Sequence, residues 1–142
     1  MNIQRAGIED VEAIYHIATG AFGSSPWPIK IFQHELSCIR NQYFVAEINH
    51  TIVGFIGMTT ILDEAEITSL AVLPDYQKQG IAQALIARVL SVPDLKRILL
   101  EVSEHNGAAQ GLYIKNSFTV YNRRRHYYKN GDDALLMERK IL

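Results

Sequence analysis

Leu70-Ala71-Val72-Leu73-Pro74-Asp75-Tyr76-Gln77-Lys78-Gln79-Gly80-Ile81-Ala82-Gln83 is the stretch on which the fold turns. Its first residues close a run that begins at Glu66, reads as a strand and is stopped by Pro74. From Gly80 to Leu90 the apolar residues Ile81, Leu85 and Val89 recur at helical spacing. A strand end therefore passes through a loop into a helix start. The first turn of a helix leaves backbone N–H groups unpaired and carries a partial positive charge, which suits a phosphate. Gly80 and Ala82 keep the approach open, and Lys78 adds a formal positive charge. The residues alone also allow a purely structural β-α connection. Neither G-x-x-x-x-G-K-[ST] nor G-x-G-x-x-G is present, which disfavours nucleotide hydrolysis and dinucleotide binding.

Toward the N-terminus, Tyr43 to Ile48 and Thr51 to Thr60 read as a hairpin about Asn49-His50. Before it, Ile3 starts a short strand, and helices are expected over 8–21 and around Ile31, Phe32, Leu36 and Ile39, separated by Ser24-Ser25-Pro26-Trp27-Pro28. Cys38 falls in that second helix and reads as a core thiol. Toward the C-terminus, Arg97 to Val102 reads as a buried strand and Asn106 as the start of a helix carrying Ala109, Leu112 and Tyr113. Two last strands, Thr119 to Tyr128 and Ala134 to Ile141, flank the turn Asn130-Gly131-Asp132-Asp133. The order β-α-α-β-β-β-α-β-α-β-β implies a mixed sheet with helices on its faces.

The 142 residues fit one domain, with boundaries at 1 and 142. At 48% hydrophobic and 20% charged, the composition predicts a packed core. A net charge of −1 supplies no overall field for nucleic acid or an anionic membrane. One cysteine and an N-terminus without an apolar leader point to a soluble, cytoplasmic protein. The five histidines form no metal pattern, so no metal is expected. Asn49-His50-Thr51 fits a glycosylation sequon but, in a cytosolic turn, carries no role.

Glu101 follows Ile98-Leu99-Leu100, at the end of its strand where open sheets place ligands. A partly buried carboxylate there can accept a proton from an amine; a surface Glu paired with a nearby Arg is the plainer reading. Tyr113 is equally open between a core aromatic and an acid. Arg123-Arg124-Arg125-His126-Tyr127-Tyr128 is the one basic cluster and reads as a solvated strand face or a weak nucleic-acid patch.

Gln77-x-x-Gly80-x-Ala82, with Leu70-Ala71-Val72 and Pro74 before it, resembles the acyl-CoA signature of the GCN5-related N-acetyltransferases, Q/R-x-x-G-x-G/A. Leu100-Glu101-Val102 through Asn106, Ala109 and Leu112-Tyr113 is similar to the L-E-V-x-x-x-N-x-x-A-x-x-L-Y segment of the bacterial ribosomal-protein-alanine type. Arg124-Arg125-His126-Tyr127-Tyr128 and Asp133-Ala134-Leu135-Leu136-Met137 resemble that type's R-R-x-Y-Y and D-A-x-x-M segments, which border its peptide groove. Pro26-Trp27 matches a segment that walls the acceptor site there.

The resemblance implies the family's α/β fold, of the α+β kind: one domain with a mixed, mostly antiparallel sheet of about six to seven strands and about four helices. It implies acetyl-CoA as cosubstrate, its pyrophosphate on the amides of Lys78, Gln79, Gly80, Ile81, Ala82 and Gln83, and its pantetheine arm along Leu70, Ala71 and Val72. It further implies Asn106 as a cofactor contact, Glu101 as the general base and Tyr113 as the general acid. The acceptor it implies is a protein N-terminus, above all of a ribosomal protein. A small amine such as a polyamine, amino acid or aminoglycoside is the alternative, and a non-catalytic acyl-CoA module a third. Ser117-Phe118 departs from the family's Gly-Phe at that turn.

Overall fold

The computed structural model describes residues 1–23 and 27–141, so Ser24, Ser25 and Pro26 lie outside the described residues. The elements run β1 (Asn2–Arg5), α1 (Val11–Phe22), α2 (Ile29–Ser37), β2 (Asn41–Ile48), β3 (Thr51–Ile61), β4 (Glu64–Val72), α3 (Ile81–Leu90), β5 (Arg97–Ser103), α4 (Gly107–Lys115), β6 (Thr119–Arg124) and β7 (Ala134–Lys140). The strands form one seven-stranded sheet in the order β1-β2-β3-β4-β5-β7-β6. Neighbours are antiparallel except β4 and β5, which are joined by the crossover through α3. The mixed, mostly antiparallel sheet with four α-helices is the architecture expected from the sequence.

Local chemistry accounts for most boundaries. Ile48 pairs with Thr51 across a two-residue loop whose Asn49 and His50 have φ of 50° and 65°, the twist that favours a tight hairpin. Gly23 ends α1 with φ 79°. Cys38 departs from expectation: it lies beyond α2 in extended backbone and is only half-buried. The Asn41 side chain draws the chain off the helix there, donating to the Glu35 carbonyl at 3.0 Å and to its carboxylate at 3.1 Å. The last helix, α4, ends in a paired turn in which Phe118 N–H donates to Tyr113 O and Ser117 N–H to Ile114 O, with Phe118 against Tyr113.

That turn holds Ser117 at φ 68°, where a side chain is strained. Ser117→Gly is expected to raise stability by about 0.5–1 kcal/mol, the relief of strain outweighing the extra freedom glycine gives the unfolded chain. Thermal unfolding checks it, and an unchanged or lower Tm overturns the reading.

The sheet divides two cores. Phe44, Ile56, Met58, Ile67, Leu85, Ile86, Ile98, Leu100 and Met137 fill the α3/α4 side, and Ile14, Ile17, Phe32, Val45, Phe55 and Ala71 the α1/α2 side. The register of β3 on β4 passes from Met58↔Ile67 to Gly57↔Ser69, leaving Thr68 as an extra, bulged residue. The bulge resets side-chain alternation. Ala65 and Ile67 enter the α3/α4 core before it, Val72 after it, and Ala71 the opposite one. At the same point β4 and β5 separate. They pair from Glu64↔Arg97 to Ile67↔Leu100; beyond that β4 follows β3 to Val72 while β5 follows β7 to Ser103.

β6 ends at Arg124 rather than continuing to Tyr128. His126 takes φ 53° and its N–H donates to Asp133 Oδ1 at 2.9 Å, turning the chain out of the strand. No helix among the described residues is long and apolar enough to cross a membrane.

Candidate active site

The parted strands open a cleft of about 1100 Å³ between β4 and β5. Its β4 wall runs from Ile67 to Val72, its β5 wall from Leu100 to Ser103, and α4 closes one side. At one end lies the loop into α3. Lys78 and Gly80 both have left-handed backbone, φ 62° and 84°. A Cβ on Gly80 would meet no atom within 4 Å, so this glycine answers to backbone conformation rather than crowding. Gln77 Nε2 donates to Val72 O at 3.0 Å and ties the loop to the strand end.

The first bond of α3 is Ala84 N–H to Gly80 O at 3.0 Å, and no side chain caps this end. The amides of Ile81, Ala82 and Gln83 therefore precede the helical ladder at the positive end of its dipole. Acetyl-CoA fits here: a helix start for a pyrophosphate, and a strand edge for an amide-bearing arm.

Of the residues singled out from the sequence, Leu70, Ala71, Val72, Lys78, Gly80, Ile81, Ala82, Gln83, Glu101, Asn106 and Tyr113 all line this cleft. Gln79 does not; its side chain turns away to the Asp75 carbonyl at 3.2 Å. Asn106 caps α4 by accepting Ala109 N–H at 3.2 Å. Gln83 exchanges side-chain hydrogen bonds of 2.7 and 2.9 Å with buried Asn116, joining the start of α3 to the end of α4.

Glu101 and Tyr113 reach the cleft from opposite faces of the sheet. Leu100 and Val102 point into the α3/α4 core, so Glu101 projects from the other face, and its side chain is 24% exposed. Arg124 Nη2 lies 3.9 Å from its Oε1. Tyr113 belongs to the α3/α4 core, packed on Phe118 at 5.8 Å. Burial, and then the neighbouring Tyr128, push its phenol up to about 12.

Residues 125–133 bring two more phenols to the same place. Asp132 accepts from Ser103 Oγ at 3.0 Å and contacts His105 Nδ1 at 3.0 Å, while Asp133 accepts from Arg123 Nη1 at 2.8 Å. These bonds fasten the loop to the ends of β5 and β6. Tyr128 lines the cleft, its phenol pushed up by burial, then by the charges of Glu101 and Tyr127. Hydrogen bonding to Glu101, then that carboxylate's charge, pushes Tyr127 up as well.

A smaller cavity of about 220 Å³ adjoins the cleft at Thr68, Ser69 and Leu70, floored by Ala18, Trp27, Phe32 and Phe55. The Thr68 and Ser69 hydroxyls are buried and unpaired. Trp27 thus stands beside the site, while Pro26 lies outside the described residues. The sequence reading placed Gln77 in the loop motif but gave no site role to it or to the Asp132–Asp133 clamp. The motif named Gln77 without its bond to Val72, and the clamp depends on long-range pairing that no local pattern carries. Among the described residues no group of three or more His, Cys, Asp or Glu could hold a metal ion.

The family model described as Acetyltransferase (GNAT) family matches residues 11–118. The ribosomal protein bS18-alanine N-acetyltransferase of Escherichia coli strain K12 is 34% identical over 134 residues, 90% of this chain and 89% of that one. The N-alpha-acetyltransferase RimI of Mycobacterium tuberculosis is 35% identical over 122 residues, 82% of this chain and 77% of that one. A crystal structure of the Escherichia coli ribosomal-protein-S18-alanine N-acetyltransferase superimposes with a TM-score of 0.92 at 32% identity, covering 99% of this chain and 93% of that one. On the family match, these relatives and the cleft they share a fold with, the chain belongs to the acetyltransferase (GNAT) family and is an acetyl-CoA-dependent N-acetyltransferase.

Proposed function

We propose that this enzyme acetylates the N-terminal α-amino group of a protein, with ribosomal protein S18, named for the relatives, as the leading acceptor. The observation that carries this reading is the approach of Glu101 and Tyr113 to one cleft from opposite faces of the sheet. A direct transfer needs that separation, because the proton leaves the amine on one side and reaches the sulfur on the other.

Acetyl-CoA supplies an activated acetyl thioester. The Leu70–Val72 edge and the amides of Lys78 to Gln83 hold it, with Asn106 at the start of α4 as a further contact. Glu101 takes the proton from the attacking amine, and Tyr113 gives its phenolic proton to the departing thiolate. No covalent bond to the protein forms. An α-amine with a pKa of about 7.7–8.0 is roughly a tenth to a fifth neutral at pH 7, so a single carboxylate suffices as base. Tyr127 and Tyr128 border the groove along which the acceptor chain leaves. The enzyme acts in the cytoplasm as one domain spanning 1–142.

Thiol release from acetyl-CoA by the purified protein, on peptides with an N-terminal alanine and on polyamines, amino acids and aminoglycosides, tests this. Turnover on the peptides, with mass spectrometry placing acetyl on the α-nitrogen, supports it. Turnover confined to a small amine overturns the acceptor, and tight cofactor binding without turnover on any amine overturns the catalytic assignment.

A further inference from the structure

The cavity of about 220 Å³ beside Thr68, Ser69 and Leu70 has a floor and a mouth of different chemistry. The floor is apolar and largely aromatic. The Phe32 ring lies 5.2 Å from that of Trp27 and 6.0 Å, edge-on, from that of Phe55, and Ala18 belongs to the same cluster. The mouth is polar. There the Thr68 and Ser69 hydroxyls are shut away from solvent with no hydrogen-bond partner, a cost the fold carries unless a ligand brings the missing polar atoms. Among the described residues no charged side chain lines this cavity.

Register places that mouth at the chemistry. Ile67↔Leu100 is the last pair of β4 on β5, so Thr68 and Glu101 are the first residues on the two sides of the parting. Ala18, Phe32 and Phe55 belong to the α1/α2 core, so the cavity lies on the face from which Glu101 projects. An amine delivered to Glu101 therefore has its own α-carbon, and the side chain on it, at the cavity's mouth.

We infer that this cavity receives the side chain of the acceptor's first residue and that it admits methionine and leucine as well as alanine. This rests on the reading of the acceptor as a protein N-terminus. An apolar cavity of about 150 Å³ holds a benzene-sized guest, so this one far exceeds what the methyl of alanine fills. Methionine suits the floor best, because its unbranched chain adapts to an irregular space and its sulfur is attracted to aromatic rings. The acceptor's amine and first peptide N–H supply donors for the Thr68 and Ser69 oxygens. A charged first residue would lose its water and meet no counter-charge.

The test is a series of peptides identical but for the first residue, given with acetyl-CoA to the parent and to Ala18→Val, which narrows the floor. In the parent, the methionine and leucine peptides are expected to show a KM at or below that of the alanine peptide, and those beginning with lysine, aspartate or tryptophan a kcat/KM at least about tenfold lower. In Ala18→Val the ratio of kcat/KM for methionine over alanine is expected to fall about tenfold, through KM. Should that variant fail to fold, the parent series decides alone. A parent that acetylates the alanine peptide and refuses methionine and leucine overturns the inference while leaving peptide acetylation intact, and so does an equal loss on both peptides in Ala18→Val. If Ala18→Val spares methionine but stops transfer from butyryl-CoA, the cavity belongs to the acyl group and the inference falls. A parent that acetylates spermidine and no peptide overturns the acceptor reading and this inference together.

Discussion

Glu101→Gln is expected to lower kcat/KM on an N-terminal peptide by about 10²–10⁴-fold at pH 7, the usual contribution of a positioned base. The change is isosteric at a side chain 24% exposed, whose nearest cation is 3.9 Å away, so the fold is expected to survive it. The pH dependence identifies the role. Below the amine's pKa of about 7.7–8.0 most acceptor is protonated and the base is needed; above it the amine is already neutral. The deficit therefore narrows as pH rises through 8. A deficit of equal size at pH 6.5 and pH 9.5 would assign Glu101 to positioning or stability instead.

Tyr113→Phe is expected to lower kcat by about 10²-fold or more while leaving acetyl-CoA affinity nearly unchanged, because the ring keeps its packing on Phe118 and only the proton donor is lost. A large loss of cofactor affinity would contradict the assignment. The phenol's displacement to about 12 sets a second expectation. It keeps its proton across the neutral and mildly alkaline range, so it imposes no descending limb on kcat below about pH 12. Unfolded, a tyrosine ionises near 10. The native state's hold on that proton is thus fully present below pH 10 and is lost as pH rises toward 12, a sensitivity that Tyr113→Phe removes from alkaline denaturation.

Much of this was legible along the chain, where signals are local. The β-branched and aromatic run from Tyr43 to Ile48, helical spacing at Ile81, Leu85 and Val89, and the Asn49-His50 turn are each written within a few residues of one another. The loop from Gln77 to Ala82 was readable for the same reason. Where the sequence misled, a distant partner decided the outcome. β6 stops at Arg124 because Asp133, across the loop, takes the His126 amide, and α2 stops before Cys38 because Asn41 reaches back to Glu35. The bulge at Thr68 and the parting beyond Ile67 depend on what β3 and β7 each hold, which no window of β4 reveals. The facing of Glu101 and Tyr113 from opposite sides becomes visible only once the sheet is assembled.

Strand pairs normally run until a turn ends them, but β4 and β5 stop pairing halfway, leaving an unzipped seam in the middle of the sheet. Proteins ordinarily shield such raw edges with charge, bulges or a covering element, because exposed backbone invites another chain to pair with it. In the proposed reading the covering element is acetyl-CoA, a small molecule that comes and goes. Turnover therefore cycles the protein between a mended and an unmended sheet. By mass action, a ligand at one hundred times its Kd adds about 2.7 kcal/mol to the folded state. Starved of coenzyme, the same molecule would expose that seam and is expected to be less heat-stable and more prone to self-association, so that the supply of coenzyme governs how long the enzyme lasts as well as how fast it works.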